Sequence, residues 1–317
     1  MTFDRDRVRE QLGSLAGAGI YIGTSSWKYP GWLDQVYCRD RYIWRGRFAE
    51  SRFQRYCLAE YAEVFPTVCV DAAYYTFPSA ASLRAMAAQV PPRFRFAFKV
   101  TDTITVKRFP NLDRFGMRAG QSNPDFLNAT LFQEAFLGPL AAIRDQVGLV
   151  IFEFSRFSSA DFARGRDFVE ALDRFFSALP RDWPFGVEIR NRSFLEPEYF
   201  EVLTRHGVAP VFNSWEAMPP VSEQIARAGP AALAGAVGVR LLLRPGRRYE
   251  DAVKRFAPYD RLQDPQPETR TAVVRLIQQA RQTGRPRPLW LYVNNRFEGN
   301  APGTIAAILE QLGRDPA

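Results

Sequence analysis

The chain has 317 residues, 46% of them hydrophobic and 24% charged, a balance that supports a large buried core. Its formal charge of +8 comes from 42 Lys and Arg against 34 Asp and Glu, but the basic residues are scattered and form no dense run of the kind that marks a nucleic-acid footprint. A single histidine, His206, excludes a His-rich zinc or di-metal centre, and with it Ser-His-Asp and Cys-His chemistry.

Residues 1–18 are charged and lack an apolar core followed by a cleavage site, so they read as an N-terminal extension rather than a secretory signal. No run approaches the ~18 apolar residues of a membrane span, and the expectation is a cytoplasmic protein. From residue 19 onward, short apolar runs alternate with helical periodicity. The predicted order is strand 20–26, helix 51–64, strand 67–72, helix 79–89, strand 94–100, helix 124–143, strand 147–154 and helix 161–179. Strand 185–190, helix 195–206, strand 208–213, helix 222–234, strand 237–243, helix 267–283, strand 288–294 and helix 302–312 complete it. Ser79, Asn123-Pro124 and Pro302 mark helix starts; Gly207 and Gly284 mark ends, and Gly229-Pro230 interrupts the sixth helix. Eight βα units with strands apolar on both faces predict a single α/β domain over 19–317, a (β/α)8 TIM barrel. The first turn, GTSSWKYPG, lacks the G-x-G-x-x-G of an open dinucleotide-binding sheet.

Cys38, Cys57 and Cys69 share no metal-ligand spacing, and the last two are expected as buried thiols. His206, just before Gly207, reads as a C-terminal helix residue. Three segments that follow strands fall on the C-terminal rim. They are 27–50, rich in Trp and Tyr, 101–123, and 244–266.

Strand residues two apart share a direction, which points Glu188 and Arg190 inward together. The same alternation nominates Lys99, Glu153, Arg240 and Asn294, with Asp71, Asn213 and Asn295 at strand ends. Any one of these could be structural: Glu188 and Arg190 as a buried ion pair, Lys99 as a salt-bridge partner, the asparagines as turn formers. Their joint placement on one rim predicts a polar pocket.

These segments resemble the YecE-like family (domain of unknown function 72) from about Gly19 to Leu312. The resemblance rests on Gly23-Thr24-Ser25-Ser26-Trp27-Lys28-Tyr29, on Phe94-x-Phe96-x-Phe98-Lys99, and on Val187-Glu188-Ile189-Arg190-x-x-Ser193. Arg240 and Tyr292-x-Asn294-Asn295 complete it. The family implies a barrel. This chain departs from the family pattern at Cys69 and Asp71, where Glu and Asn are usual, and at Val106, Glu153, Asn191 and Phe194.

The expected function is an enzyme acting on a small anionic or polyhydroxylated substrate. Arg190 and Arg240 would take a carboxylate or phosphate. Asn294, Asn295 and Asn213 would hydrogen-bond hydroxyls, and Trp27, Tyr29 and Tyr75 would cover the ligand. Glu188 is the candidate general acid/base, with Glu153 or Asp71 as the second carboxylate of a metal-independent hydrolase. Lys99 is a Schiff-base nucleophile in a lyase alternative. No cofactor is implied, although Asp71, Glu153 and Glu188 are the set that could hold magnesium. Two further readings remain open: a nucleic-acid-binding barrel using rim arginines and aromatics, and a non-catalytic ligand-binding barrel.

Overall fold

The computed structural model describes residues 3–282 and 287–314. Eight parallel strands close into one barrel: β1 (Ile20–Thr24), β2 (Thr67–Val70), β3 (Arg95–Lys99), β4 (Val147–Phe154), β5 (Phe185–Ile189), β6 (Ala209–Ser214), β7 (Val237–Leu241) and β8 (Leu289–Val293). Neighbours in sequence are neighbours in the sheet, and β8 returns to pair with β1. Five residue pairs join β1 to β8, from Ile20↔Leu289 to Thr24↔Val293, whereas Thr24↔Val68 alone joins β1 to β2. The fold is the expected (β/α)8 architecture.

Alternation along each strand sorts the side chains. Outward residues such as Ile22, Val68, Phe96, Phe152, Val187 and Leu291 join the core that the helices cover. The lower interior is a separate apolar cluster of Cys69, Ala97, Leu149, Ile151, Ala209, Val211, Trp290 and Tyr292, with Tyr21 stacked on Trp290 at 4.4 Å. Glycine leaves room for these large side chains. A Cβ on Gly23 would stand 2.0 Å from the Thr67 carbonyl oxygen, and one on Gly238 would stand 2.9 Å from Val211 Cγ2. The barrel is therefore a packed core up to its last layer, with the Thr67 and Tyr292 hydroxyls hydrogen-bonded to each other inside it, and its C-terminal mouth is polar.

The helices fall near their predicted places, the sixth interrupted at Gly229 as expected, with two informative differences. The expected helix at 124–143 starts instead at Ala129, capped by the Asn128 side chain, and passes through a π-turn at Gln133–Leu137. Asn123 cannot cap it, because its amide donates to the Thr103 and Val106 carbonyls while its oxygen accepts from Asp125 N–H. The sixth helix, Val221–Ala232, kinks at Gly229, whose φ of 68° suits glycine. The N-terminal stretch forms a helix, Arg5–Gly17, capped by Asp4, and buries Val8, Leu12 and Leu15 in the main core. His206 ends helix Pro197–His206 with Nε2 2.7 Å from Asp173 Oδ1, followed by left-handed Gly207. Gly284, the other predicted stop, lies outside the described residues. Among the described residues no helix is long and apolar enough to cross a membrane.

Candidate functional site

Continuing each strand's inward alternation to the C-terminal mouth gives one polar residue per strand. These are Ser25, Asp71, Lys99, Glu153, Glu188, Asn213, Arg240 and Asn294. Three cations face three carboxylates there. Arg240, 2% exposed, reaches across the mouth, and its Nη1 donates to Glu188 Oε2 at 2.6 Å and Glu153 Oε2 at 2.8 Å. Its Nη2 lies 3.5 Å from Asp71 Oδ1. Arg190 donates from Nε to Glu188 Oε1 at 3.2 Å and from Nη2 to Glu153 Oε1 at 2.9 Å. Lys99 Nζ completes the network, 2.8 Å from Glu153 Oε2. Strand tilt makes this possible: Glu153 and Glu188 sit side by side in register, and Arg240 comes from two strands further round.

The three carboxylates are not equivalent. Glu188 is fully buried, and each of its oxygens accepts a charged hydrogen bond. Burial alone would raise the pKa of Glu153, but Arg190, Lys99 and Arg240 outweigh it and hold the carboxyl well below the usual carboxylate range. Asp71 opens the ring to solvent: its side chain is 34% exposed and its nearest cation is the 3.5 Å contact to Arg240. Lys99 shows the opposite balance. Desolvation pulls its pKa down, the charges of Glu153 and Asp71 push it up further, and the net direction is upward.

Aromatic rings line the mouth. The ring of Tyr74 sits 3.9 Å from Lys99 Nζ, and the guanidinium of Arg190 lies 3.8 Å from the Trp215 ring centroid. Tyr29 packs against Trp32 and Tyr259, and its hydroxyl pKa is raised by burial, lowered by Arg296 and raised by Asp71. Trp27 is partly buried with its indole N–H unpartnered. Tyr75 packs edge-on against Tyr74 at 5.3 Å and is 62% exposed.

The asparagines divide in role. Asn294 Oδ1 accepts from Arg296 N–H and starts the single turn Asn295–Glu298. Asn295 Oδ1 accepts from Trp32 Nε1 at 3.2 Å and Ala301 N at 2.8 Å, tying the aromatic loop to the last helix, Ala301–Arg314. Asn213 donates to the Ile189 carbonyl, leaving Oδ1 buried without a partner. Ser25 Oγ and Arg240 Nε are also buried and unpartnered. Three buried polar atoms around the mouth thus have hydrogen-bonding capacity that no protein group uses.

The magnesium arrangement does not form. The oxygens of Glu153 and Glu188 are taken by guanidinium and ammonium groups, and among the described residues no cluster of three His, Cys, Asp or Glu side chains is placed to hold a metal.

Sequence reasoning missed Ser25, Tyr74 and Trp215. Alternation from Tyr21 through Gly23 gives Ser25, and Trp215 follows Asn213 by two, so both signals were present. It also missed a cleft of about 810 Å3 beside Arg190, built by the segments after β4, β5 and β6.

The family described as "Protein of unknown function DUF72" matches residues 21–317. A DUF72 family protein from Enterococcus faecalis V583 is similar in structure, with a TM-score of 0.58 and 18% identity, covering 93% of this chain and 94% of that one. One from Thermotoga maritima MSB8 superimposes with a TM-score of 0.55 at 20% identity, covering 93% and 98%. At these identities the likeness speaks for the fold alone. No curated protein matches the chain. With the match spanning nearly its whole length, the chain belongs to the DUF72, or YecE-like, family.

Proposed function

We propose that this protein is an enzyme acting on a small anionic or polyhydroxylated substrate at the barrel mouth, by acid–base chemistry at a carboxylate. The observation that carries this reading is the asymmetry of the charged ring. Glu153 and Glu188 are consumed in fixing Arg190, Arg240 and Lys99, whereas Asp71 has a half-buried carboxylate that reaches solvent on the same ring. Buried charges locked in this way form a preorganised field with little left to rearrange during reaction. Asp71 takes the proton from a water or substrate hydroxyl, and Lys99 and Arg190 face the negative charge that develops. The ion pair that ties Lys99 Nζ to Glu153 Oε2 at 2.8 Å favours hydrolysis over Schiff-base chemistry. Trp215, Tyr74 and Trp27 form the walls against which the ligand packs.

The test has two stages. A thermal-shift screen of sugars, sugar phosphates and carboxylates finds ligands, since one at ~100 times its Kd adds ~2.7 kcal/mol of stability. Turnover of the hits is then compared in Asp71→Asn. The expected outcome is a ~10²–10⁴-fold loss of kcat with ligand affinity kept within a few-fold. Unchanged turnover in that variant removes Asp71 from the mechanism, and equal loss of binding and turnover makes it a binding residue only.

A further inference from the structure

The cleft beside Arg190 lies off the barrel axis. Its bed is apolar: the rings of Phe157 and Phe162 stand 5.0 Å apart, and Phe194 stacks on Phe157 at 6.4 Å. Its floor is fixed by Asn191, whose side chain donates to the Phe157 carbonyl at 3.0 Å and accepts from Phe157 N–H at 2.8 Å. Above this bed the charged lining is entirely arginine: Arg156, Arg190, Arg192 and Arg227, with no carboxylate. A volume of about 810 Å3 suits a small organic molecule.

The charges around this cleft do not cancel. Arg190 is balanced within the barrel ring, where three cations meet three carboxylates. Arg227 Nη2 binds Glu223 Oε1 at 2.7 Å, and Arg192 Nη2 lies 3.5 Å from that same oxygen, so one carboxylate serves two guanidiniums. Arg156 is exposed and makes no hydrogen bond or ion pair among the described residues. Among the lining residues and the carboxylates they pair with, the surplus is about two positive charges, one from Arg156 and one from the Arg192–Arg227 pair; Asp161, which accepts from the lining Ser158, is itself paired with Arg108. A phosphate monoester carries about −1.5 to −2 near pH 7, with its second pKa near 6. Guanidinium forks suit its oxygens, and the phenylalanine bed suits the organic part attached to it.

We propose that this cleft holds the phosphate of a phosphorylated small-molecule substrate, as a handle rather than as the reacting group, with the organic part directed past Arg190 towards Asp71. The assignment rests on the enzyme reading above and adds the substrate class to it. It also moves the phosphate site away from the ends of strands seven and eight, where barrels frequently hold phosphate, to the ends of β4, β5 and β6.

Titration calorimetry of phenyl phosphate and phenyl sulfate at constant ionic strength tests the idea, because the two esters share a body and differ in charge. At pH 7.5 the phosphate should bind at least 10-fold more tightly than the sulfate. The advantage should shrink as the pH falls to 5 and the phosphate becomes a monoanion. Arg156→Ala with Arg192→Ala, both on exposed side chains, should weaken phosphate binding at least 10-fold, whereas Asp71→Asn should change it less than about twofold. Equal affinity for the two esters, or undiminished binding in the double variant, overturns the handle. Salt-sensitive binding of a short single-stranded oligonucleotide without binding of phenyl phosphate overturns it too, in favour of a nucleic-acid backbone track. The enzyme reading fails on a different result, undiminished turnover in Asp71→Asn.

Discussion

Replacing Arg240 by alanine tests the charged ring as a structural unit. The variant removes a 2%-exposed guanidinium whose Nη1 donates to one oxygen of Glu188 and to the Glu153 oxygen it shares with Lys99. It leaves two deeply buried carboxylates and half-buried Asp71 facing only Lys99 and Arg190. Breaking a buried ion pair from one side costs about 3–5 kcal/mol. The unfolding entropy of a chain this long is about 0.7 kcal/mol per kelvin, so Tm should fall by about 4–7 °C. Adding Glu188→Gln removes the surplus negative charge, and the double variant should be more stable than the sum of the two single losses by about 1–3 kcal/mol. The pH dependence has a definite sign. Because Glu153 is held below its ordinary pKa, its stabilising contribution is full above about pH 4.5 and fades as the pH falls through the lowered value. In Arg240→Ala the shift is smaller and that carboxyl protonates sooner, so the stability gap to wild type should be constant down to about pH 4.5 and narrow below it, which a comparison of pH 7 with pH 3 reads. Urea denaturation of the four proteins of the cycle at both pH values measures all of this. A loss below about 1 kcal/mol at pH 7, or strict additivity in the cycle, would refute the reasoning.

Other expectations follow from packing and exposure. Cys38 is exposed, whereas the buried thiols of Cys57 and Cys69 are each pushed up to about 12. Iodoacetamide at pH 8 should therefore add one label to the native protein and three to the denatured chain, counted by mass spectrometry; a second native label contradicts the burial. Gly23→Ala places a Cβ against the Thr67 carbonyl, a backbone atom that cannot swing aside, and should destabilise by about 3 kcal/mol or more in urea. Leu12→Ala in the first helix should cost about 2–5 kcal/mol, and a loss under about 0.5 kcal/mol would mean that this helix is not docked on the barrel.

The fold was legible because its signal is long and repeated: eight apolar runs separated by helical periodicity leave few alternatives to a barrel. The inward charged residues were legible for the same reason, since a two-residue period fixes the side of the sheet on which Lys99, Glu153, Glu188 and Arg240 lie. Which carboxylate meets which cation was not. Glu188 is bound by Arg190 from its own strand and by Arg240 from two strands away, and only the tilt and register of the closed sheet bring the latter within 2.6 Å. The lateral cleft was hidden because Arg156, Arg192 and Arg227 come from separate segments and read individually as exposed arginines. The first helix was masked by its charge. Val8, Leu12 and Leu15 keep the i, i+4, i+7 spacing of an apolar stripe, but five of its 13 residues are charged.

The uneven pairing of the first strand sets a timetable for synthesis. β1 is joined to β2 by one residue pair and to β8 by five, so the first strand made is also among the last to be secured. About 270 residues separate Thr24 from Val293. At ~5–20 residues per second a ribosome needs roughly 15–55 s to cover them. Throughout that interval the nascent sheet has an open edge on either side of the missing stave, exposed to any strand that could pair with it. Until the final stave arrives this edge has no strand to pair with, and a translational pause before residue 289 would lengthen the exposure.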